Sequence, residues 1–122
     1  AINDSAFAGL ERMTREIRLA ENIDAPESAF NDNSGRLVLN TIDPFTGQSA
    51  RMEFFLSAVT LMIKKDSEEA KILTSPKTEV LNLIFRRIVN LNVSEAVKIE
   101  LEIKAGNKSE KFYNTAVLRG SY

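Results

Sequence analysis

Histidine, cysteine and tryptophan are all absent from this chain of 122 residues. Without His or Cys, the chain cannot form a Ser–His–Asp or Cys–His nucleophile, a thiolate, or an ordinary zinc site. The absence of cysteine also excludes a disulfide, although it does not identify a cellular compartment. We therefore predict a protein that is not an enzyme and that carries no transition metal and no cofactor.

Charge of one sign and long apolar runs are also missing. The 16 basic and 17 acidic residues are interleaved and give a net charge of −1, which argues against nucleic acid or an anionic membrane surface as a partner. No segment approaches the ~20 consecutive apolar residues of a membrane helix, and none reads as a signal peptide. Any membrane anchor is therefore expected outside these residues.

The residues that are present fit one ordinary domain. The apolar fraction is 43%, and a chain of this length buries roughly two-thirds of its unfolded surface on folding. We expect a single domain over residues 1–122, with its own hydrophobic core.

The first twenty residues carry a helical apolar stripe. Its members are spaced by 4, 4, 3, 4 and 3 residues, which places them on one helix face; they are Ile2, Ala6, Leu10, Met13, Ile17 and Ala20. Asn3, Asp4 or Ser5 could cap a helix that begins later, but Ile2 already fits the stripe. We therefore expect residues 1–21 to be the C-terminal half of a longer helix. Glu11 and Arg15 have the i,i+4 spacing of an ion pair.

The pattern of the remaining residues predicts turns and strands. Residues 22–35 are rich in turn-forming side chains and predict a connecting loop, and residues 36–122 predict a β-domain. Between Ala96 and Lys104 apolar and charged residues alternate, and the chain then turns and returns as a hairpin. The segment Thr78–Val89 is apolar on both faces, with Leu81 grouped with Leu83 and Phe85, and predicts a central strand. The fold class is α+β: an N-terminal helix packed on antiparallel sheet of six or seven strands.

Four segments, taken in order, resemble type IV pilin-like proteins. Leu10–Ala20 is similar to the second half of the long helix in minor pseudopilins, especially the J type of type II secretion systems. Leu73-Thr74-Ser75-Pro76, followed by Val80–Phe85, resembles a strand of that family. Val97–Leu101 and Ala116–Arg119 resemble its last two strands. The chain therefore resembles the globular domain of a minor pilin or minor pseudopilin that lacks the apolar half of its N-terminal helix.

This resemblance implies a structural subunit of a type IV pilus or a type II secretion-like filament. In the family, the missing helix half spans the inner membrane before assembly and packs in the filament core afterwards. The globular domain then faces outward, at the cell surface or in the periplasm, and displays a surface for adhesion or substrate contact. Its partners are other subunits, contacted through the N-terminal helix. We expect the isolated domain to be a monomer or a weak dimer.

The helix supplies the candidate assembly residues. Leu10, Met13 and Ile17 are expected to pack on the chain's own sheet, whereas Ile2 and Ala6 are assigned to an interface between subunits. Three arginines recur at i+3 and either meet acids of a neighbouring subunit or form a solvated face with Glu11 and Glu16; they are Arg12, Arg15 and Arg18.

Two groups of residues with side-chain oxygen atoms are candidate chemical sites. Asp24, Glu27, Asp32 and Asn33 could supply oxygen ligands to calcium, but their spacing matches no EF-hand loop, and a turn is the simpler interpretation. Glu100 and Glu102 are two residues apart and lie on the same strand face, a spacing that superficially suggests a pair of catalytic carboxylates. Lys98 and Lys104 on the same face indicate a charged solvent surface instead.

Two other functions remain open at this point. The first is a free-standing, non-catalytic extracytoplasmic binding or adaptor module whose helix begins near residue 3. The second, more remote, is a hydrolase that uses carboxylates and water. The coding sequence upstream of Ala1 discriminates, because a peptidase site followed by ~20 apolar residues selects the pilin-like subunit.

Overall fold

The computed structural model describes residues 2–89 and 95–119, the side chain of Ile2 excepted. In these ranges one helix precedes eight strands. They are α1 (Ile2–Leu19), β1 (Asn22–Ile23), β2 (Arg36–Ile42), β3 (Ser49–Ser57), β4 (Thr60–Lys65), β5 (Lys71–Ile72), β6 (Glu79–Val89), β7 (Glu95–Ala105) and β8 (Lys108–Val117).

The strands form two antiparallel sheets. One contains β1 to β5 in chain order, and the other contains β6, β7 and β8 in chain order. The predicted combination of an N-terminal helix with antiparallel sheet is confirmed, although the described chain is mostly strand and has eight strands rather than six or seven. The unpredicted strand is β1, which lies inside the segment expected to be a loop and is too short for any periodicity to reveal it.

The apolar stripe of α1 packs on the chain's own sheets, mainly against β8 and β7 and also against β2. Leu10, Met13 and Ile17 are buried in the common core, as predicted, and Ala20 joins them just after the helix ends. Each large apolar side chain buried in this way contributes about 1.5–3 kcal/mol. The helix is therefore held along its length by its inward face.

Ser5 is a buried polar link between the helix and the loop before β6. Its hydroxyl accepts a hydrogen bond from the N–H of Ser75 over 2.9 Å and lies 3.1 Å from the hydroxyl of Thr78. The helix already begins at Ile2, so Ser5 does not cap a later start. Its side chain satisfies tertiary rather than local hydrogen bonds.

β6 differs from its prediction in two ways. It is an edge strand of the three-stranded sheet rather than a central strand, and it contains a bulge between Val80 and Asn82. The bulge reverses the alternation, so Val80 is buried with Leu83 and Phe85 while Leu81 is 42% exposed. The predicted grouping of Leu81 with Leu83 and Phe85 was wrong.

Backbone hydrogen bonds from the segment 31–35 cover the outer edge of β6. The N–H of Gly35 donates to the carbonyl of Leu83 over 2.7 Å, and the N–H of Leu83 donates to the carbonyl of Asn33 over 2.8 Å. A Cβ atom at Gly35 would lie 2.7 Å from the Leu83 carbonyl oxygen and 2.9 Å from a Phe85 ring carbon. Only glycine allows this close approach, which joins the two sheets.

The β7–β8 hairpin is confirmed. Ala105 pairs with Lys108 across a turn in which Gly106 has a φ of +62°. The alternation along β7 also holds, because its four predicted inward residues are all buried: Val97, Ile99, Leu101 and Ile103. This hairpin places β8 at the edge of its sheet, beside α1.

Candidate interaction surface

The outward face of α1 carries an exposed apolar residue near its N-terminal end. Phe7 is 69% exposed, although large aromatic side chains are normally well covered. Ala6, which the sequence assigned to a subunit interface, is instead 1% exposed and belongs to the chain's own core. The side chain of Ile2 lies outside the described residues. The helix surface open to a partner is therefore centred on Phe7 rather than on Ala6.

The three helix arginines have different environments. Arg12 donates from Nε to Glu16 Oε2 over 3.1 Å, so the ion pair of this helix is not the predicted one between Glu11 and Arg15, both of which the structure describes. Arg15 and Arg18 are exposed, and neither forms an ion pair with another described residue. Of the three helix arginines, these two present guanidinium groups that no described acid neutralises.

A groove of about 740 Å³ runs between α1 and β8. Its apolar part is formed by Phe7, Leu10 and Leu19 of the helix together with Phe112 of β8. Arg15, Arg18 and Glu11 also line it, as does the Tyr113–Asn114 segment of β8. Sequence patterns do not predict this groove, because it forms only where side chains of α1 and β8 meet in the folded chain.

Asn114 connects the two walls of the groove. Its Nδ2 donates to Thr14 Oγ1 over 3.0 Å, and its Oδ1 accepts the backbone N–H of Thr115 over 2.9 Å. The first contact fastens β8 to α1. The second satisfies a backbone donor of the strand.

The calcium candidates are engaged in protein contacts. Asp24 Oδ1 accepts the N–H of Glu27 over 3.3 Å, and Asp32 Oδ1 accepts the N–H of Ser34 over 2.9 Å. Arg51 lies within 4 Å of both Asp24 and Glu27, at 3.7 and 3.9 Å. Over residues 2–89 and 95–119, no group of three or more acidic side chains is arranged to hold a metal ion.

The acids near Arg51 belong to a charged network on the five-stranded sheet. Glu53, only 6% exposed, accepts hydrogen bonds from Arg51 over 3.0 Å and from Arg36 over 2.5 Å. Arg36 also lies over the ring of Phe55, 4.9 Å from its centroid. This network fixes the segment after α1 onto β2 and β3. Sequence reasoning missed it because its cations lie on strands remote from the acidic turn.

Glu100 and Glu102 of β7 bind side chains of the neighbouring strand β6. The Arg86 guanidinium lies 2.9 Å from Glu100, and the Asn82 amide donates to Glu102 over 2.5 Å. Lys98 lies 5.5 Å from the centroid of the Tyr113 ring. These contacts agree with a charged outer sheet face and leave neither carboxylate paired with the other.

Asp43 and Lys65 form an ion pair between the β2–β3 turn and the end of β4. The hydrogen bond from Lys65 lowers the pKa of Asp43 below its usual value of 3.8, and the N–H of Phe45, 2.8 Å from Oδ1, acts in the same direction. The same hydrogen bond raises the pKa of Lys65 above 10.5. Both groups therefore stay charged over a wider pH range than usual.

Comparisons with protein-family models, curated proteins and solved structures find no match. Within the described residues, no helix is both long enough and apolar enough to cross a membrane. Function must therefore be argued from the surface of the chain itself.

Proposed function

We propose that this chain is the globular domain of a minor pilin or pseudopilin, a non-enzymatic subunit of a type IV pilus or type II secretion-like filament. The observation that carries the proposal is the position of α1. An N-terminal amphipathic helix lies along antiparallel sheet through the buried residues Ala6, Leu10, Met13 and Ile17. That arrangement is the one the sequence resemblance implies.

The outer face of the helix supports a role in assembly. Phe7 and Leu19 are exposed on it, and Arg15 and Arg18 have no acidic partner among the described residues. Neighbouring subunits in a filament would cover the apolar residues and supply acids to the arginines. The domain would act outside the cytoplasm, anchored in the inner membrane before assembly and carried on the filament afterwards.

A structural role is also favoured over hydrolysis. The two acids that resemble a catalytic pair, Glu100 and Glu102, are engaged by Arg86 and Asn82 respectively. Carboxylates held in this way contribute to sheet stability and are poorly placed to activate water together.

The proposal is tested with the intact gene product in its own cells. The coding sequence upstream of Ala1 should specify a peptidase site and ~20 apolar residues. The protein should fractionate with the inner membrane and be recovered in sheared filaments when the filament system is active. A product with an ordinary start or a secretory cleavage site, found only in a soluble fraction, would contradict the proposal.

A free-standing extracytoplasmic binding module is the second candidate. The groove between α1 and β8 favours it, because an apolar groove lined by charged residues is a normal protein-binding feature. The sedimentation of residues 1–122 separates the candidates further. A monomer or weak dimer at micromolar concentration fits the pilin-like subunit, whereas a tight, discrete oligomer favours the module.

A further inference from the structure

The two sheets have four edge strands in the described residues, and three of these edges are either very short or covered. β1 and β5 contain only two residues each, and the edge of β6 is covered by backbone bonds from the segment 31–35. β8, with ten residues, is the long edge that remains. Long uncovered edges are sites at which another strand can pair.

The hydrogen-bond pattern shows which β8 groups point away from the sheet. The N–H of Leu118 donates to the carbonyl of Glu95 over 2.9 Å, and bonding and non-bonding positions alternate in an antiparallel pair. Lys111, Tyr113 and Thr115 therefore direct their backbone groups outward. The N–H of Thr115 already donates to the side chain of Asn114, so this donor is not open to an added strand.

α1 lies alongside the open edge of β8. The helix segment from Phe7 to Leu19 lines the groove beside Phe112, Tyr113 and Asn114, and it spans about 18 Å. That length matches about five residues of extended chain. A strand added to β8 would place alternate side chains against Phe7 and Leu10.

The charge around the groove indicates what such a strand contains. Arg15 and Arg18 line the groove without acidic partners among the described residues, and Glu11 is the one acidic residue lining it there. Lys111 is exposed on the neighbouring outer face of β8. An occupant with acidic side chains meets these cations, and its apolar side chains cover Phe7.

A second copy of this chain fits the groove less well. Pairing β8 with another β8 about a twofold axis brings a second α1 to the same side of the joined sheet. The second β8 carries one acid, Glu110, beside Lys108 and Lys111. It therefore does not supply the alternating acidic side chains that Arg15 and Arg18 would bind. The charge pattern favours a segment of a different protein.

We propose that the open edge of β8, beneath α1, binds an extended peptide segment of alternating apolar and acidic residues by β-strand addition. The backbone of Lys111 and Tyr113 supplies the pairing, Phe7 and Leu10 cover the apolar side chains, and Arg15 and Arg18 bind the acids. The proposed filament role assigns subunit contacts to the same Phe7, Arg15 and Arg18, but peptide binding at β8 requires neither a filament nor a membrane.

The test uses residues 1–122 and three fluorescent nine-residue probe peptides. One alternates Val with Glu, a second alternates Val with Lys, and a third is the Val–Glu peptide with its central residue replaced by Pro. Fluorescence anisotropy should detect binding of the Val–Glu peptide only. The same peptide should slow hydrogen exchange at the Lys111 and Tyr113 amides.

Matched variants locate the site. Phe7→Ala and Arg15→Glu should each weaken Val–Glu binding about tenfold, whereas Phe45→Ala, which removes an even more exposed ring elsewhere, should not change it. Tyr113→Pro should abolish binding while retaining the fold, because its N–H makes no bond to β7. If that variant fails to fold, Phe7→Ala and Arg15→Glu still decide.

Three results would overturn the proposal. The first is no binding of the Val–Glu peptide at millimolar concentration. The second is equal affinity for the Val–Lys peptide, and the third is equal weakening by Phe45→Ala and Phe7→Ala. Because the assay uses no cells and no filament, its failure is distinguishable from failure of the proposed pilin-like role.

Discussion

Asn114 on the edge strand and Thr14 on the helix are joined by a hydrogen bond of 3.0 Å. The same Asn114 side chain accepts the outward N–H of Thr115. Asn114 therefore holds the helix to β8. It also accepts a backbone N–H that would otherwise be free to donate to an added strand. Stability and access to the edge are coupled at this position.

Replacing Asn114 by Ala should separate these two effects. The buried Thr14 hydroxyl loses its partner, so the free energy of unfolding should fall by about 1 kcal/mol. Affinity for the Val–Glu peptide should rise, because the Thr115 N–H is released. Urea denaturation and anisotropy measure the two quantities, with Asn3→Ala as the control. Lower stability with unchanged peptide affinity would mean that Asn114 is a structural contact alone.

The inward stripe of α1 should carry most of the helix's contribution to stability. Met13→Ala removes a fully buried side chain and should lower the free energy of unfolding by about 2–5 kcal/mol. Leu19→Ala, at a position 45% exposed on the same helix, is the matched control and should lower it much less. Equal denaturation midpoints for the two variants, at equal m-values, would show that this stripe does not hold the domain together.

Gly35 should be intolerant of a side chain. Gly35→Ala forces apart the segment 31–35 and β6, because its Cβ would meet a backbone oxygen at 2.7 Å; we expect a loss of about 1–3 kcal/mol. Gly9→Ala is the control. Its Cβ would meet side-chain atoms rather than backbone, with the end of the Leu61 side chain closest at 3.0 Å, and alanine favours the helix. A larger loss at Gly9 than at Gly35 in thermal denaturation would contradict this reading of the sheet junction.

The ion pair of Asp43 and Lys65 should stabilise the domain over a defined pH range. The lowered pKa of Asp43 means that its contribution is present above pH 3.8 and is lost as the pH falls through the still lower folded-state value. The raised pKa of Lys65 means that its contribution is present below pH 10.5 and is lost only at higher pH. The stability difference between wild type and Asp43→Asn should thus be constant near neutrality, and a difference that disappears there would refute this assignment.

Elements in which apolar residues recur at a regular spacing over many residues were predictable from sequence. The stripe of α1 repeats over five turns, and its central residues Leu10, Met13 and Ile17 are buried as the spacing predicts. The alternation along β7 identifies its inward face for the same reason. In both elements one face is buried along the whole length. The spacing of the apolar residues therefore equals the period of the helix or the strand.

Features that depend on a single residue or on a distant contact were not predictable. The bulge at Leu81 exchanges the two faces of β6 without any local signal in an apolar segment. Two-residue β1 exists only because it pairs with Leu39 and Asn40 of β2. Tertiary position decides these features, and local propensity does not.

The candidate surface was only partly predictable. The arginines at i+3 were identified from spacing. Side-chain placement decides that Arg12 is paired, whereas Arg15 and Arg18 have no acidic partner among residues 2–89 and 95–119. Phe7 lies outside the apolar stripe, so the helical spacing did not identify it. The groove between α1 and β8 was not predictable, because it exists only in the packed structure.

Site-specific photocrosslinking in cells tests the pilin-like role most directly. A photoreactive phenylalanine analogue incorporated at position 7 of the intact gene product keeps an aromatic side chain there, and the same analogue at Phe45 is the exposed control. The Phe7 probe should crosslink to other filament subunits only when the filament assembles, and the Phe45 probe should not. A Phe7 probe that labels no subunit, in cells that assemble filaments normally, would contradict the proposal that the exposed face of α1 joins this domain to its neighbours.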